Sequence, residues 1–169
     1  TMMDLTTDAE EYLFAPKAEV THEDANQVLE RFFDSMGSSE IPNPFILCDT
    51  MDEAAQIAGF SMILPSGVPD GIDNSVIRAV KSNMIEVIYQ GDQEQISVRK
   101  AVGAEDISGD FTTYSDVNVE DVNGRSVTLK GSNGKIMVAT WTDGGYTYAV
   151  RTEAGLEHDV IAGMVSSVQ

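Results

Sequence analysis

Residues 117–151 read VNVEDVNGRSVTLKGSNGKIMVATWTDGGYTYAVR and carry three tight turn signals: Asn123-Gly124, Asn133-Gly134 and Asp143-Gly144-Gly145. Both central residues of a type I′ turn need positive φ, which Asn and Gly accept readily. Between the turns, apolar and polar side chains alternate with the period of two that is typical of a strand with one buried face. Because strands joined by two-residue turns run antiparallel, the stretch predicts four antiparallel strands, near 117–122, 125–130, 135–142 and 145–151.

The period of two begins further upstream, near residue 75. It predicts strands at about 75–81, 84–90 and 94–100, the last two joined by the turn Gly91-Asp92-Gln93. An additional strand is predicted at Phe60–Leu64, where Pro65 ends it. The whole sheet is therefore expected to hold about seven to eight strands.

Three segments predict helices. Apolar side chains at 3–4 spacing follow Thr21 and predict a helix of about 22–36. Thr50-Met-Asp-Glu53 is a capping box that opens a helix of about 51–58, and Gly59 closes it. A third apolar face predicts a helix of about 156–168. The fold class is therefore α+β, a curved antiparallel β-meander sheet with these helices packed on one face.

The chain divides by composition into two parts. Residues 1–42 read as an acidic N-terminal tail plus a helix, and residues 43–169 read as a single α+β domain. The 169 residues carry 28 acidic and 10 basic side chains, a formal net charge of −18. That charge repels phosphates and anionic lipid headgroups, so we expect no nucleic-acid partner and no direct binding to a lipid surface. It is compatible with a basic or cationic partner.

Candidate catalytic and metal-binding residues are few. Cys48 stands two residues before the N-cap Thr50, but only His22 and His158 could act as its base, and the FILC run favours a buried packing role. The histidines lie in first turns of helices and lack zinc-ligand spacing. Acidic clusters near Asp70, Glu105 and Glu120 do not match a calcium loop, and turn chemistry explains them. We therefore predict no enzyme, no metal and no cofactor, although carboxylates that meet only in space stay open.

Aromatic side chains concentrate on one hairpin. Trp141, Tyr146 and Tyr148 flank the Asp143-Gly144-Gly145 turn. Core packing and cross-strand pairs are the favoured interpretation. The alternative is a small ligand or partner surface, and these three residues are the candidate site that the sequence offers.

Two segments resemble a known family. They are Asn43-Pro-Phe with Thr50-Met-Asp-Glu-Ala-Ala, Ala58-Gly-Phe60 and Met62-Ile-Leu-Pro65, and Ala139-Thr-Trp-Thr-Asp-Gly-Gly-Tyr-Thr-Tyr148 with the helix that follows. Together they resemble domain-of-unknown-function family 4367 of Firmicutes, over roughly residues 43–169. The resemblance implies an extracytoplasmic domain of a Gram-positive bacterium, commonly placed after a membrane anchor and sometimes in anti-sigma-like proteins. It supplies no catalytic residues.

The sequence contains no apolar run long enough for a transmembrane helix and no signal-peptide pattern. Because the chain begins at Thr1 rather than at methionine, we expect membrane contact only through an N-terminal anchor that has been removed. The predicted function is a non-catalytic extracytoplasmic binding or sensory domain, as the outer domain of a membrane-anchored regulator, with an unidentified protein or small-molecule partner. The alternative is a carrier of a lipid or another hydrophobic ligand in a pocket between sheet and helices.

Overall fold

The computed structural model describes residues 43–169, apart from Asp73 and Gln93 and the side chain of Asn74. Residues 43–169 form one compact unit. The acidic tail and the helix predicted at about 22–36 lie outside the described residues.

Eight strands and two helices make up this unit. The strands are β1 (Ile46–Cys48), β2 (Asn74–Val80), β3 (Met84–Gln90), β4 (Gln95–Val102), β5 (Asp116–Val122), β6 (Arg125–Ser132), β7 (Lys135–Asp143) and β8 (Tyr146–Leu156). Helix α1 (Met51–Ala58) follows β1, and helix α2 (His158–Ser167) follows β8. The predicted α+β class is confirmed, and the strands from residue 74 onward match the predicted ones within a few residues at either end.

The strands form one antiparallel sheet with the order β1-β2-β3-β4-β8-β7-β6-β5. The chain meanders twice, through β1–β4 and then through β5–β8, and the pairing of β4 with β8 joins the two halves at the centre. Residues 103–115, which we call the crossover loop, carry the chain from β4 at the centre to β5 at the far edge. The two edges are therefore β1 and β5.

The predicted hairpin turns have the backbone conformation that their sequences require. The φ angles are positive at both central residues of each turn: Asn123 (54°), Gly124 (81°), Asn133 (55°), Gly134 (76°), Gly144 (59°) and Gly145 (85°). These values match the type I′ pattern, so the local sequence sets three of the hairpins in the second meander.

Helix α1 begins and ends as its sequence predicts. The side chain of Thr50 accepts from the amide of Glu53 at 3.1 Å, and the carboxylate of Glu53 accepts from the amide of Asp49 at 2.9 Å. Gly59 closes the helix with φ of 84°, and its amide donates to the carbonyl of Ala55 at 2.8 Å. Ala54 and Ala58 are 0% and 2% exposed, so the small face of the helix lies directly on the sheet.

The strand predicted at Phe60–Leu64 is wrong. The strand next to α1 is β1, which precedes the helix. It pairs with the side of β2 that does not pair with β3, and so it forms that edge of the sheet. Residues 60–64 instead run beside the end of the chain, where Ile63 and Gln169 exchange two backbone hydrogen bonds of 2.7 and 3.4 Å. Two apolar runs flank α1, and only the pairing with β2 decides which of them becomes a strand.

The core lies between one face of the sheet and the two helices. Its fully buried side chains include ones from the three central strands β3, β4 and β8, from α2 and from the residue that follows it: Ile85, Val87, Ile96, Val98, Val150, Ile161, Met164, Val165 and Val168. Burial of each such side chain contributes about 1.5–3 kcal/mol to the stability of the fold. We call this the inner face of the sheet and the opposite one the outer face.

Candidate functional site

The longer of the two edges that the described strands form is the unpaired side of β5, which we call the β5 edge. The seven residues Asp116–Val122 pair with β6 on one side, and none of the described residues pairs with the other side. Val117 and Val119 are 57% and 66% exposed. The strand contains no proline, no lysine and no bulge, and the one feature that it shares with protected edge strands is the charge of Asp116, Glu120 and Asp121.

The hydrogen-bonding groups of this edge can be assigned from the hairpin. Residues that flank a two-residue turn form a hydrogen-bonded pair, and such pairs then alternate with non-hydrogen-bonded ones. Val122 and Arg125 flank the Asn123-Gly124 turn, and the β5–β6 register is continuous from there to Asp116. The backbone groups of Val117, Val119 and Asp121 therefore point away from β6, toward the free edge.

The two faces of β5 differ in chemistry. Residues directly opposite each other in neighbouring strands share a face. Asn118 and Glu120 stand opposite the buried Leu129 and Val127, so Asn118, Glu120 and also Asp116 lie on the inner face. Val117 and Val119 lie on the outer face. The β5 edge therefore presents Val117, Val119 and Asp121 on the outer side and Asp116, Asn118 and Glu120 on the inner side.

The β5–β6 hairpin is fixed to helix α2 by three contacts. The guanidinium of Arg125 donates to the carbonyl of Val165 at 2.6 Å, and the amide side chain of Asn123 donates to the hydroxyl of Ser166 at 2.7 Å. His158 Nε2 lies 2.5 Å from Glu120 Oε1. Hydrogen bonds that the His158 ring donates to the carboxylates of Glu120 and Asp159 raise the pKa of His158 above its ordinary value. The edge strand is thus held on a scaffold, which lowers the entropy that a partner must remove on binding.

The crossover loop is pinned across the outer face. Arg99 donates to the carbonyl of Ile107 at 2.7 Å, and Arg151 donates to Asp110 at 3.0 Å. Burial opposes ionisation of Asp110, but hydrogen bonds from Thr112, Arg151 and Tyr114 outweigh it and lower its pKa to about 2. The loop therefore covers a face that the sequence predicts to be solvated, and Val138 beneath it is 0% exposed.

A buried ionic cluster lies on the same outer face. Glu86 is 1% exposed and accepts from Arg78, from Arg99 at 2.7 Å and from the hydroxyl of Ser97 at 2.8 Å. Burial raises the pKa of Glu86, and the bonds from Arg78, Arg99 and Ser97 outweigh that effect and lower it. Since every side-chain oxygen of Glu86 is bonded, the cluster joins β2, β3 and β4 rather than offering a reactive carboxylate.

The aromatic hairpin faces the core. Trp141 and Tyr148 are 3% and 5% exposed and stack with ring centroids 5.2 Å apart, while Tyr146 is half-buried. Lys100 places its ammonium 4.5 Å from the Tyr146 ring and donates to the carbonyl of Ser61 at 2.8 Å. Trp141 and Tyr148 thus pack in the core, Tyr146 is the partly exposed ring of the three, and Trp141 also borders an open cleft of about 220 Å³. The indole N–H of Trp141 is buried without a hydrogen-bond partner.

Cys48 lies on β1 and is half-buried. The run that contains it is not buried as expected, because Ile46 and Leu47 are 46% and 73% exposed at the sheet edge. Desolvation, together with the charge of Glu53, raises the pKa of the Cys48 thiol. A raised pKa reduces the thiolate fraction, which is unfavourable for a nucleophile. His22 lies outside the described residues, and His158 is engaged with Glu120.

Two clefts are open to the surface; the first is lined mainly by polar groups, and the second, which includes Pro69, Ile72 and Leu156, is more apolar. One has a volume of about 220 Å³ and is lined mainly by hydroxyl side chains of β6–β8 and by the crossover loop: Ser126, Thr128, Thr140, Thr142, Thr147, Glu105 and Asp106. The other, of about 330 Å³, lies at residues 69–72 and the β3–β4 turn. No residue of α1 or α2 lines either cleft. Over the part of the chain that the structure describes, no three His, Cys, Asp or Glu side chains converge as a metal site.

The described helices include none that is long and apolar enough to cross a membrane. No family model, no curated protein and no solved structure matches this chain. Function therefore has to be argued from the geometry of the site.

Proposed function

We propose that this chain is a non-catalytic binding domain that recognises a polypeptide by strand addition at the β5 edge. In this mode, an extended segment pairs with an exposed strand, the main chain supplies affinity, and alternate side chains supply specificity. The proposal keeps the extracytoplasmic setting, as the outer domain of an anchored regulator, that the resemblance to family 4367 implies.

One observation carries the proposal: β5 is a seven-residue edge strand with outward-pointing backbone groups at Val117, Val119 and Asp121 and two exposed valines. The other edge is less suitable, because β1 has only three residues and follows Pro44. A long, flat and partly apolar edge is a template for pairing with another chain. Its anchoring to α2 presents that template in one conformation.

The carboxylates and the cysteine of the described region support a binding role over catalysis. A general acid or base works best with a pKa near the operating pH. Glu86 and Asp110 have lowered pKa values because arginine and hydroxyl groups bind their ionised forms. Both carboxylates thus hold strands and loop together.

The carrier alternative has no comparable support. Met164, Val165 and Val168 of the α2 region are 0% exposed and fill the space between helix and sheet. The clefts of about 220 and 330 Å³ are open to the surface and are not lined by either helix, so neither is a pocket between sheet and helices.

A displayed library of extended peptides tests the proposal. Peptides enriched on the full chain are expected to protect the amides of Val117, Val119 and Asp121 from hydrogen exchange. They are expected to lose binding to Val119→Pro, which removes an outward N–H and leaves the β5–β6 ladder intact. Val119→Thr is the matched control, because it keeps the N–H and the β-branch and should retain binding. Peptides that bind Val119→Pro as well as the parent would refute strand addition at this edge.

Location is tested separately. Labelling of the full-length protein by a membrane-impermeant reagent on intact cells is expected, and labelling only after lysis would contradict the extracytoplasmic part of the proposal.

A further inference from the structure

We infer that the occupant of the β5 edge is an extended segment of another protein in which basic and apolar side chains alternate. This inference rests on the proposed function and adds the chemistry of the partner.

The side chains on the two faces of β5 determine which residue types alternate in the partner segment. A strand paired with β5 places successive side chains on opposite faces of the sheet. On the outer face it would meet Val117 and Val119, with Asp121 at the end of the strand near the turn, so apolar side chains are favoured opposite the two valines. On the inner face it would meet Asp116, Asn118 and Glu120, where lysine or arginine is favoured. A segment with basic and apolar residues in alternate positions satisfies both faces at once.

Charge distinguishes this partner from other occupants. Residues 103–122 contain six acids, Glu105, Asp106, Asp110, Asp116, Glu120 and Asp121, and no base. Lys130 and Arg151 neutralise Asp106 and Asp110. Among the described residues, the one ion pair of the three β5 acids joins Glu120 to His158.

A second copy of this chain is a poor match for the same edge. It would add its own three β5 acids, so that six carboxylates would share one strand pair without a base in either strand. Residues 1–42 of the chain also have the wrong charge for a cationic strand, because they carry ten acids and two bases, Lys17 and Arg31. Like charges across a strand pair are destabilising, whereas opposite charges stabilise it. The acids thus act against self-pairing and select a cationic strand.

Three synthetic peptides of seven residues, the length of β5, test the inference by calorimetry on the full chain. The first alternates lysine and valine, the second alternates glutamate and valine, and the third has the composition of the first with its lysines grouped together. All three are first shown to be monomeric by sedimentation. The alternating Lys–Val peptide is expected to bind at least about tenfold more tightly than either of the others. Equal affinity for the grouped peptide would overturn the alternation, and equal affinity for the Glu–Val peptide would overturn the charge argument.

Substitutions in the chain test whether the Lys–Val peptide binds through the acids of β5. Asp116→Asn with Glu120→Gln is expected to weaken Lys–Val binding about tenfold and to remove most of its salt dependence. Asp70→Asn with Asp92→Asn removes the same charge from loops distant in the strand order and is expected to change affinity less than about twofold. Equal losses in the two double variants would mean that only the net charge attracts the peptide, which overturns the inference.

The outcomes separate this inference from the proposed function. Library peptides that need the Val119 N–H but lack alternating basic residues would overturn the inference and leave the proposed function standing. Lys–Val binding that is unaffected in Val119→Pro would overturn the inference, whereas library peptides that bind Val119→Pro as well as the parent would overturn the proposed function. A dimer that forms in sedimentation and is lost in Val119→Pro would identify a second copy as the occupant and overturn the inference.

Discussion

Replacement of Asp110 by asparagine removes the negative charge that pairs with Arg151 and holds the crossover loop to β8. The Asp110 side chain is 4% exposed and bonds to Arg151 at 3.0 Å and to the Tyr114 hydroxyl at 2.9 Å. Asparagine has a single acceptor oxygen, so it loses the charge and keeps the bond from either the Thr112 amide or the Tyr114 hydroxyl. The pKa of Asp110 falls from the ordinary 3.8 to about 2. That difference corresponds to about 2.4 kcal/mol of folding free energy near neutral pH. We therefore expect Asp110→Asn to lower the free energy of unfolding by about 2 kcal/mol.

The stability difference between parent and Asp110→Asn should become smaller as the pH falls. A carboxyl whose pKa is lowered by folding contributes stability above its unfolded pKa and loses it as the pH falls through the folded pKa. The window here runs from 3.8 down to about 2. About half of the difference between parent and variant should remain near pH 3, and little should remain below about pH 2.

Urea unfolding followed by the fluorescence of Trp141, the single tryptophan, measures the effect at neutral and at acid pH. Asp106→Asn is the matched control on the same loop. Its side chain is 45% exposed beside Lys130, so its loss should stay below about 1 kcal/mol. A cost below about 0.5 kcal/mol for Asp110→Asn near pH 7, or a cost that is the same at pH 7 and pH 3, would refute the reasoning.

Three further predictions follow from single contacts. Glu86→Ala leaves two arginines without their shared anion and should cost about 3 kcal/mol or more in urea unfolding; a cost under about 1 kcal/mol would contradict a buried cluster. Gly131→Ala would place its Cβ 1.9 Å from the Lys135 carbonyl and should destabilise the protein by about 1–3 kcal/mol, while Gly163→Ala on α2, with open space at Cβ, should not. The raised pKa of His158 means that its contribution to stability is present below 6.5 and is lost as the pH rises through the folded pKa. An NMR titration should therefore show a lower His158 pKa in Glu120→Gln, and an unchanged value would exclude the contact.

The candidate site was only partly accessible from the sequence. The alternation of valines with acids in VNVEDV is visible in the chain, and so is the absence of basic residues around it. The sequence does not indicate that this strand lies at an edge, because edge position depends on which strands pair. The candidate site that the sequence offers is the aromatic hairpin instead, since Trp and Tyr are common at binding surfaces. Its face of the sheet is the one that α2 covers, which places Trp141 and Tyr148 inside the core.

The sequence by itself determined the local elements. Asn-Gly and Gly-Gly turns require positive φ, the period of two identifies strands, and the capping box with Gly59 bounds α1; each of these acts over a few neighbouring residues. Only the tertiary structure decided the strand order, the pairing of β4 with β8, the choice of β1 over residues 60–64, and the position of the crossover loop over the outer face. Those features depend on contacts between residues far apart in the chain, whose burial and ion pairing are properties of the assembled sheet. The exposure of Val117 and Val119 at the β5 edge is a consequence of that assembly.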